Sequence, residues 1–281
     1  MNFENLEHLK ELDEQCQIHQ VNLYQLDKVL KILGEDKPRK PSPFCPKCNE
    51  EEKHRKEQGE IDKHLNNNLY LKTYNVLMRD STIPKELAGA TFDNFKVETP
   101  EERQLLQFAQ NQTKKYLDGM TGNTIISGPT GVGKSHLSVA MAKAINEGYK
   151  AKNEPKSVLF VSLTEIIKQI KEGWNFGKGA KLTEYQAVEL LKSVDYLIID
   201  DLGAKNANLS PKSDWEQDLL FDIINNRETT IINSNLSSNE LRTVYNDRNA
   251  SRILKGAEGN TFKVFSIKDK RFGINQIKEG Q

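Results

Sequence analysis

The segment from Gly128 to Ser135, GPTGVGKS, has the spacing G-x-x-x-x-G-K-[ST]. Glycines at these positions let the backbone turn so that its amides point at phosphate oxygens, beside the N-terminus of the next helix. Lys134 would reach the β and γ phosphates of a nucleotide, and Ser135 would bind Mg²⁺. A strand is predicted before this segment and a helix after it. The predicted nucleotide contacts are Gly128, Pro129, Thr130, Gly131, Val132, Gly133, Lys134, Ser135 and His136.

Two carboxylates, Asp200 and Asp201, end the apolar run that begins at Tyr196. The carboxyl ends of parallel strands are where such sheets present their functional side chains. Asp200 is a suitable carboxylate ligand for the Mg²⁺ ion that accompanies the nucleotide. Asp201 would orient the attacking water and accept its proton, although Asp is also common as a cap of a turn.

Asn235 follows another apolar run, Thr229 to Ser234. Its amide would lie beside the γ-phosphate if this strand lies between the strand before the phosphate loop and the strand that ends in the carboxylates. A loop cap is the alternative role for Asn235.

Arg252 and Arg271 are candidates for stabilising the charge on the transferred phosphoryl group. Arg252 would act from a neighbouring subunit and Arg271 from the same one. Both could equally be surface arginines, since most arginines are exposed.

The sequence CPKC places Cys45 and Cys48 in a knuckle that can point two thiolates at one Zn²⁺ ion. A closed site needs four ligands, and His54 and His64 are the nearest candidates. A metal-free thiol pair and a redox pair are the alternatives, the redox pair being disfavoured because no βαβ pattern surrounds it. The zinc would be structural, because so polar a stretch buries little apolar surface.

The order of predicted elements divides the chain into a helical part, residues 1–84, and an α/β part, residues 85–281. A stripe at intervals of three or four, from Leu6 to Leu33, predicts one helix, and residues 59–78 predict a second. After Lys85, short strands alternate with helices, which indicates a mostly parallel sheet covered on both faces. The strands are predicted at Thr124 to Ser127, Ser157 to Ser162, Tyr196 to Asp200, Thr229 to Ser234 and Phe262 to Ile267.

Composition narrows the class of protein. The chain has 281 residues, 36% hydrophobic and 28% charged, with a formal net charge of zero, which argues against coating nucleic acid through bulk charge. The longest uncharged stretch, between Asp118 and Lys134, is too polar for a membrane span. The first residues lack the pattern of a secretory signal. We therefore expect a cytoplasmic protein without a membrane segment.

The motifs GPTGVGKSHL, YLIIDDLGA and IINSNLS, with the segment GATFDNF at residues 89–95, together resemble the DnaC/DnaI helicase loaders, which are AAA+ ATPases of bacteria and phages. The resemblance covers roughly Lys85 to Arg271. It implies that Thr91 to Phe95 lie near the adenine, with Phe92 as the named nucleotide contact, that Asn235 is sensor I, that Arg252 is the arginine finger and that Arg271 is sensor II. The doubled aspartate stands where many AAA+ proteins have Asp-Glu, so hydrolysis would be slow and switch-like.

The resemblance also implies partners. The amino-terminal domain would grip a replicative DnaB-type helicase, and the AAA+ domains would self-assemble with ATP and handle single-stranded DNA. The DNA-facing part would be the helices between Leu163 and Val194, although a solvated helix pair is an alternative. This interval interleaves cations that can track phosphates with aromatic rings that can stack on bases. They are Lys168, Lys171, Lys178 and Lys181, with Trp174, Phe176 and Tyr185.

Two other functions compete with helicase loading. The AAA+ core is closely similar to that of the IstB-type transposition helper ATPases, whose usual amino-terminal part lacks a C-x-x-C knuckle. An inactive nucleotide-dependent scaffold that inhibits or recruits a helicase is the third possibility, favoured if Asp201 cannot activate water.

Overall fold

A computed structural model describes residues 8–29, 40–176, 182–203 and 209–271. The chain forms two compact units, residues 1–68 and residues 69–281. Leu6, Leu30 and Leu33 of the predicted helical stripe lie outside the described residues, as do Lys178, Lys181 and the side chain of Phe176.

The first unit contains an antiparallel hairpin where the sequence predicted a helix. Strands β1 (Leu9–Gln15) and β2 (Asn22–Leu26) pair, and Tyr24 forms a further bridge with Phe44. The helix prediction is therefore wrong for this segment. The chain reverses at Gln20, which adopts a positive φ of 52°, so the leucines spaced three or four apart fall on two strands. Tertiary contacts at this reversal override the local helical period.

Helix α1 (Pro46–Lys72) begins at a proline, where the missing amide costs no intrahelical hydrogen bond. It begins before the predicted start at Gly59 and ends before the predicted end at Met78. A turn separates it from α2 (Val76–Asp80). The single helix predicted over residues 59–78 is therefore divided between α1 and α2 in the structure.

The second unit is organised around five parallel strands in the order β4-β5-β6-β3-β7. The parallel α/β sheet predicted for the AAA+ fold is confirmed. The last strand is shorter than the prediction of Phe262 to Ile267. The strands are β3 (Thr124–Ser127), β4 (Val158–Ser162), β5 (Tyr196–Leu202), β6 (Thr230–Ser234) and β7 (Thr261–Lys263).

Alternate residues of the strands face two hydrophobic cores, one on each face of the sheet. Ile126 and Ile198 lie in one core, and Ile125 and Ile199 lie in the other. A short 3₁₀ helix spans Lys85–Leu87. The remaining helices are α3 (Pro100–Leu117), α4 (Lys134–Ala151), α5 (Leu163–Phe176), α6 (Glu184–Ser193), α7 (Asp214–Ile224), α8 (Ser238–Val244) and α9 (Asp247–Ile253).

Residues 69–84 belong to the second unit, so the division of the chain falls earlier than Lys85. Leu77 is 2% exposed and lies in the core that also contains Ile126. The amide of Thr82 donates to Phe160 O at 2.9 Å, and the Phe160 amide donates to Ser81 Oγ at 2.9 Å. This extended segment therefore covers the outer edge of β4.

Throughout the described ranges, no helix combines the length and the apolar character needed to cross a bilayer.

Candidate functional site

The phosphate loop joins β3 to α4. Neighbouring side chains lie so close to two of its glycines that no larger residue would fit there. A Cβ on Gly128 would lie 2.6 Å from Cβ of Val264, and one on Gly133 would lie 2.6 Å from the Phe95 ring. Gly133 also has a φ of 97°, in the left-handed region that side chains disfavour. A larger residue at either place would push the loop away from its neighbours.

Lys134 is the first residue of α4 and is only 5% exposed. Its Nζ donates to Gly128 O at 2.8 Å, to Pro129 O at 2.6 Å and to Asn235 Oδ1 at 2.8 Å. Burial lowers the pKa of the ammonium to about 8, although the nearby Asp201 and Asp200 carboxylates act in the opposite direction. The Lys134 ammonium therefore lies inside the loop. The charged oxygens of a triphosphate would accept stronger hydrogen bonds from it than the three neutral oxygens it contacts here.

Ser135 and Asp200 meet where the loop faces the end of β5. Ser135 Oγ donates to Asp200 Oδ1 at 3.0 Å. Burial raises the pKa of the Asp200 carboxyl, while a hydrogen bond from Asn233 works against this shift. A hydroxyl and a carboxylate are the hard oxygen ligands that Mg²⁺ takes, so the predicted pair fits a magnesium ion.

Asp201 follows in an irregular stretch of β5. The pairing with β6 shifts between Ile199 and Leu202, and Asp201 has a positive φ of 57°. Such an extra residue turns a side chain away from the regular alternation of the strand, and bulges of this kind occur beside active sites. Here it brings both Asp200 and Asp201 to the same cavity.

Asn235 directly follows β6, and the order of strands in the sheet decides whether it lies beside the phosphate loop. Strand β6 lies between β5 and β3, which confirms the condition on which the Asn235 prediction depended. The Asn235 side chain touches the Lys134 ammonium, as described above, and lines the same cavity as the two aspartates.

These side chains surround one cavity of about 710 Å³ in the second unit. Its size falls within the range of small-molecule sites. The lining includes Thr130, Gly131, Gly133, Lys134, Ser135, His136, Asp200, Asp201, Asn235 and Arg271, so ten of the predicted residues are brought together.

Of the segment Thr91 to Phe95 predicted near the adenine, the phenylalanine that lines this cavity is Phe95, whereas the named contact was Phe92. Phe92 packs against the core on that face of the sheet. Thr91 and Asn94 exchange backbone-to-side-chain hydrogen bonds across the intervening turn, which sends the two phenylalanines in different directions. Phe95 contacts the His136 ring edge to face, with centroids 5.5 Å apart.

The segment after β7 runs along the phosphate loop. Val264 N donates to Ser127 O at 2.7 Å, and Lys270 N donates to Gly131 O at 3.0 Å. Lys270 Nζ also forms an ion pair with Glu102 at 2.9 Å and lies 4.3 Å from the centroid of the Phe95 ring. This run of contacts places Lys270 and Arg271 at the cavity. Lys270 was not predicted.

Arg252 lies in α9, away from the cavity of its own subunit. Its Nε donates to Asn225 Oδ1 at 2.9 Å, and the side chain is half-buried. A role toward a neighbouring subunit stays a prediction.

The helices between β4 and β5 carry the predicted DNA-facing residues. Lys171 is paired with Glu216 at 3.3 Å, and Lys168 with Glu172 at 3.9 Å. Trp174 is 57% exposed and Tyr185 is 74% exposed. Lys168 and Lys171 thus contact acidic partners within the chain. Both aromatic side chains are largely exposed, although the Trp174 ring meets the Trp215 ring at a centroid distance of 4.8 Å.

The first unit gathers a second group of ligating side chains. Cys16, His19, Cys45 and Cys48 place their ligand atoms within 4.8 Å of one another. Cys16 and Cys48 sulfurs are 3.6 Å apart, and His19 Nδ1 lies 3.3 Å from Cys48 Sγ. A tetrahedral zinc site with zinc–sulfur bonds of about 2.3 Å has edges of roughly 3.8 Å, so the four residues fit Zn²⁺.

Without a metal, the ligands of this cluster share protons among themselves. Backbone hydrogen bonds from His19 and Ile18 lower the pKa of Cys16 to about 6, and the hydrogen bond to Cys16 raises the pKa of Cys48 to about 12. The hydrogen bond with Cys16 also raises the pKa of His19 to about 9, so a bound Zn²⁺ would displace protons from His19 and Cys48. His19 Nε2 lies 3.0 Å from Glu51 Oε1, so its Nδ1 is left to face the sulfurs. Carboxylates bonded in this way orient metal-ligating histidines.

The predicted ligands His54 and His64 are not part of this cluster. Both lie on exposed positions of α1, and His54 is 3.9 Å from Glu57. The helix extends away from the knuckle from Pro46 onward, so residues further along it cannot return. Cys16 and His19 complete the set. Their spacing, Cys-x-x-His, matches that of Cys45 and Cys48 and was the signal that could have identified them.

Comparison with known proteins gives one family. A family model described as IstB-like ATP binding protein matches residues 65–257, more than half of the chain. No curated protein gives a significant match. The solved structure of DnaI is 20% identical, covering 68% of this chain and 95% of its own, with a TM-score of 0.49. The DnaC helicase loader is 24% identical, covering 64% and 98%, with a TM-score of 0.47. AMPPCP-bound DnaA from Aquifex aeolicus is 25% identical, covering 68% and 56%, with a TM-score of 0.47.

Proposed function

This chain belongs to the family of IstB-like ATP-binding proteins, and we propose that it is an ATPase that loads a replicative helicase onto single-stranded DNA. The observation that carries the ATPase is the convergence of Lys134, Ser135, Asp200 and Asn235 on one cavity beside the phosphate loop.

In the proposed reaction, a water attacks the γ-phosphorus of ATP, the bond to the bridging oxygen breaks, and ADP leaves. Asp201 orients this water and takes its proton. Lys134 holds the β and γ phosphates, and Asn235 contacts the γ-phosphate. Arg271 of the same subunit and Arg252 of a neighbour stabilise the charge on the transferred group.

Ser135 and Asp200 would hold the magnesium ion that accompanies ATP. A bound Mg²⁺ supplies positive charge that draws electron density from the phosphate oxygens. Burial of Asp200 keeps competing water away from this carboxylate and strengthens its interaction with a cation.

The first unit is proposed to grip a DnaB-type helicase. The family match begins at residue 65, so the hairpin and the Cys3His cluster lie outside the part shared with the family. A Zn²⁺ ion held by Cys16, His19, Cys45 and Cys48 would fix the hairpin to the start of α1 and give this small unit a stable surface.

Single-stranded DNA is the third proposed partner. The exposed rings of Trp174 and Tyr185 offer faces on which bases can stack, and such stacking tolerates any base sequence. Self-assembly through the ATPase units would line these surfaces along a strand.

ATP binding is tested with Lys134→Ala. Removal of the ammonium takes away the main phosphate contact, so we expect ATP affinity to fall at least about a hundredfold, as measured by calorimetric titration. Lys192→Ala, at an exposed position of α6, is the matched control and should bind ATP normally. Equal affinity of the Lys134 variant and the wild type would contradict the site.

Helicase loading is tested by mixing the full chain with a hexameric replicative helicase and ATP. We expect a complex whose mass, measured by light scattering, equals the helicase plus several copies of this chain. A further assay should show helicase transferred to single-stranded DNA only when ATP is present. A chain that stays separate from every candidate helicase would exclude this function.

A transposition helper ATPase is the second candidate, because the matching family is described by its IstB-like members. Such a protein would bind a transposase and DNA and would not join a helicase, so the same mass measurement with a transposase as partner distinguishes the two. ATP binding without any turnover would instead favour a nucleotide-dependent scaffold or inhibitor.

A further inference from the structure

Asn233 lies near the end of β6 and is completely buried. Its Nδ2 donates to Asp200 Oδ1 at 2.6 Å. Its Oδ1 accepts from Ser138 Oγ at 2.9 Å, and Ser138 is buried on α4. The amide therefore joins the helix that follows the phosphate loop to the carboxylate at the end of β5.

The sheet register explains why the two side chains meet. Ile198 pairs with Ile231 and Ile199 with Ile232, so Asp200 and Asn233 come side by side on the face covered by α4. Ile231, two residues earlier on this face, packs in the apolar core. An amide in such surroundings destabilises the fold if it is left without hydrogen-bond partners. The nitrogen and the oxygen of the Asn233 amide each have a hydrogen-bond partner.

The orientation of the amide is fixed by these partners. The ionised Asp200 carboxylate can only accept hydrogen bonds, so it requires the NH₂ group of Asn233. The Ser138 hydroxyl then donates to the remaining oxygen. Asp200 Oδ1 receives a second hydrogen bond from Ser135, so two donors hold one oxygen of the carboxylate and set its plane.

We propose that Asn233 is a positioning residue for the magnesium site, holding Asp200 so that its carboxylate and the Ser135 hydroxyl face the same ion. This inference rests on the proposed ATPase. Asn233 does not reach the cavity itself and acts only through Asp200, with Ser138 as its support.

The test compares Asn233→Leu, which has a similar size and no amide, with the wild type. ATP binding is measured by calorimetry in excess EDTA and over a series of Mg²⁺ concentrations. We expect the Mg²⁺ concentration for half-maximal effect to rise about tenfold or more, as is typical when a group that orients a metal ligand is lost. ATP affinity in EDTA should change by less than about twofold, because the phosphate loop keeps its own contacts.

Two further variants keep the inference falsifiable. Ser138→Ala removes only the support of the amide and should give a smaller shift in the same direction, in a chain that folds. Thr230→Val removes a buried hydroxyl of the same strand whose oxygen has no hydrogen-bond partner, and should leave the Mg²⁺ dependence unchanged.

The outcomes separate this inference from the proposed function. Unchanged Mg²⁺ dependence in both Asn233→Leu and Ser138→Ala overturns the positioning role while leaving the ATPase in place. An equal loss of affinity in EDTA and in Mg²⁺ also overturns it, because the residue would then support the whole loop. A wild-type chain without magnesium-dependent ATP binding overturns the proposed function and this inference together.

Discussion

At the scale of single residues, the ammonium of Lys134 is enclosed by three oxygens and nearly removed from solvent. Its charge state therefore responds to pH in a range where most lysines are fully charged. Its ability to attract phosphate responds in the same range.

We expect ATP affinity to fall as the pH rises through about 8, because burial lowers the pKa of Lys134 to that value in the free protein. Bound phosphates favour the ammonium and raise this pKa, so binding above pH 8 requires proton uptake. Calorimetry in two buffers of different ionisation enthalpy measures this uptake directly. A constant affinity and no proton uptake between about pH 7 and pH 9.5 would contradict the expected titration.

Arg252 gives a second prediction at this scale. We expect Arg252→Ala to bind ATP normally and to lose hydrolysis by about a thousandfold, because an arginine supplied by a neighbour acts on the transition state. Arg248→Ala is the control on the same helix, since Arg248 pairs with Asp218 at 2.6 Å. Steady-state phosphate release measures both variants. Normal turnover in the Arg252 variant would remove the finger assignment.

At the scale of elements, the strands and the phosphate loop could be predicted because their signals are local. Three apolar runs, each ended by glycine or polar residues, gave β3, β5 and β6 closely. The family match confirms the ATP-binding family that these motifs indicated. Asn233 was not identified, because one amide after Ile231 and Ile232 leaves the apolar pattern of a strand unchanged.

The hairpin could not be predicted for a physical reason. Its leucines repeat at helical intervals, but the Cys-x-x-His turn holds the chain in a reversal that local propensity does not encode. The segment Thr91 to Phe95 was predicted to lie near the nucleotide, but the choice between Phe92 and Phe95 could not be made from the sequence, since only the turn between Thr91 and Asn94 decides which of the two faces the cavity.

The zinc assignment is tested at this scale. We expect about one Zn²⁺ per chain in the wild type and in His54→Ala, and little in Cys16→Ser, because the hairpin turn supplies two of the four ligands. Elemental analysis of purified protein gives the ratio. Chelation should melt the first unit and leave ATP binding intact. Zinc retained by Cys16→Ser and lost by His54→Ala would restore the original ligand prediction.

At the scale of the whole molecule, the two units suggest where the chain can be divided. Val76 and Leu77 are 4% and 2% exposed, within the cores of the second unit. A cut at Lys85 removes both of them and uncovers the edge of β4. A cut at Leu69 keeps them.

We therefore expect a chain that begins at Leu69 to bind ATP and melt near the ATPase transition of the full chain. A chain that begins at Lys85 should lose several kcal/mol of stability, because each buried large side chain contributes about 2–5 kcal/mol. Thermal denaturation monitored by circular dichroism compares them. Both shortened chains should fail to bind the helicase, because they lack the first unit. Equal melting temperatures would show that α2 is dispensable, and retained helicase binding would contradict the proposed role of the first unit.

The run of contacts between residues 264–271 and the phosphate loop has a consequence for biosynthesis. During translation the loop emerges long before the residues that press against Gly128 and Gly131. A nascent chain therefore holds its loop without the partners that complete the pocket. We therefore expect nucleotide to stabilise the growing polypeptide only weakly until this late stretch has been made.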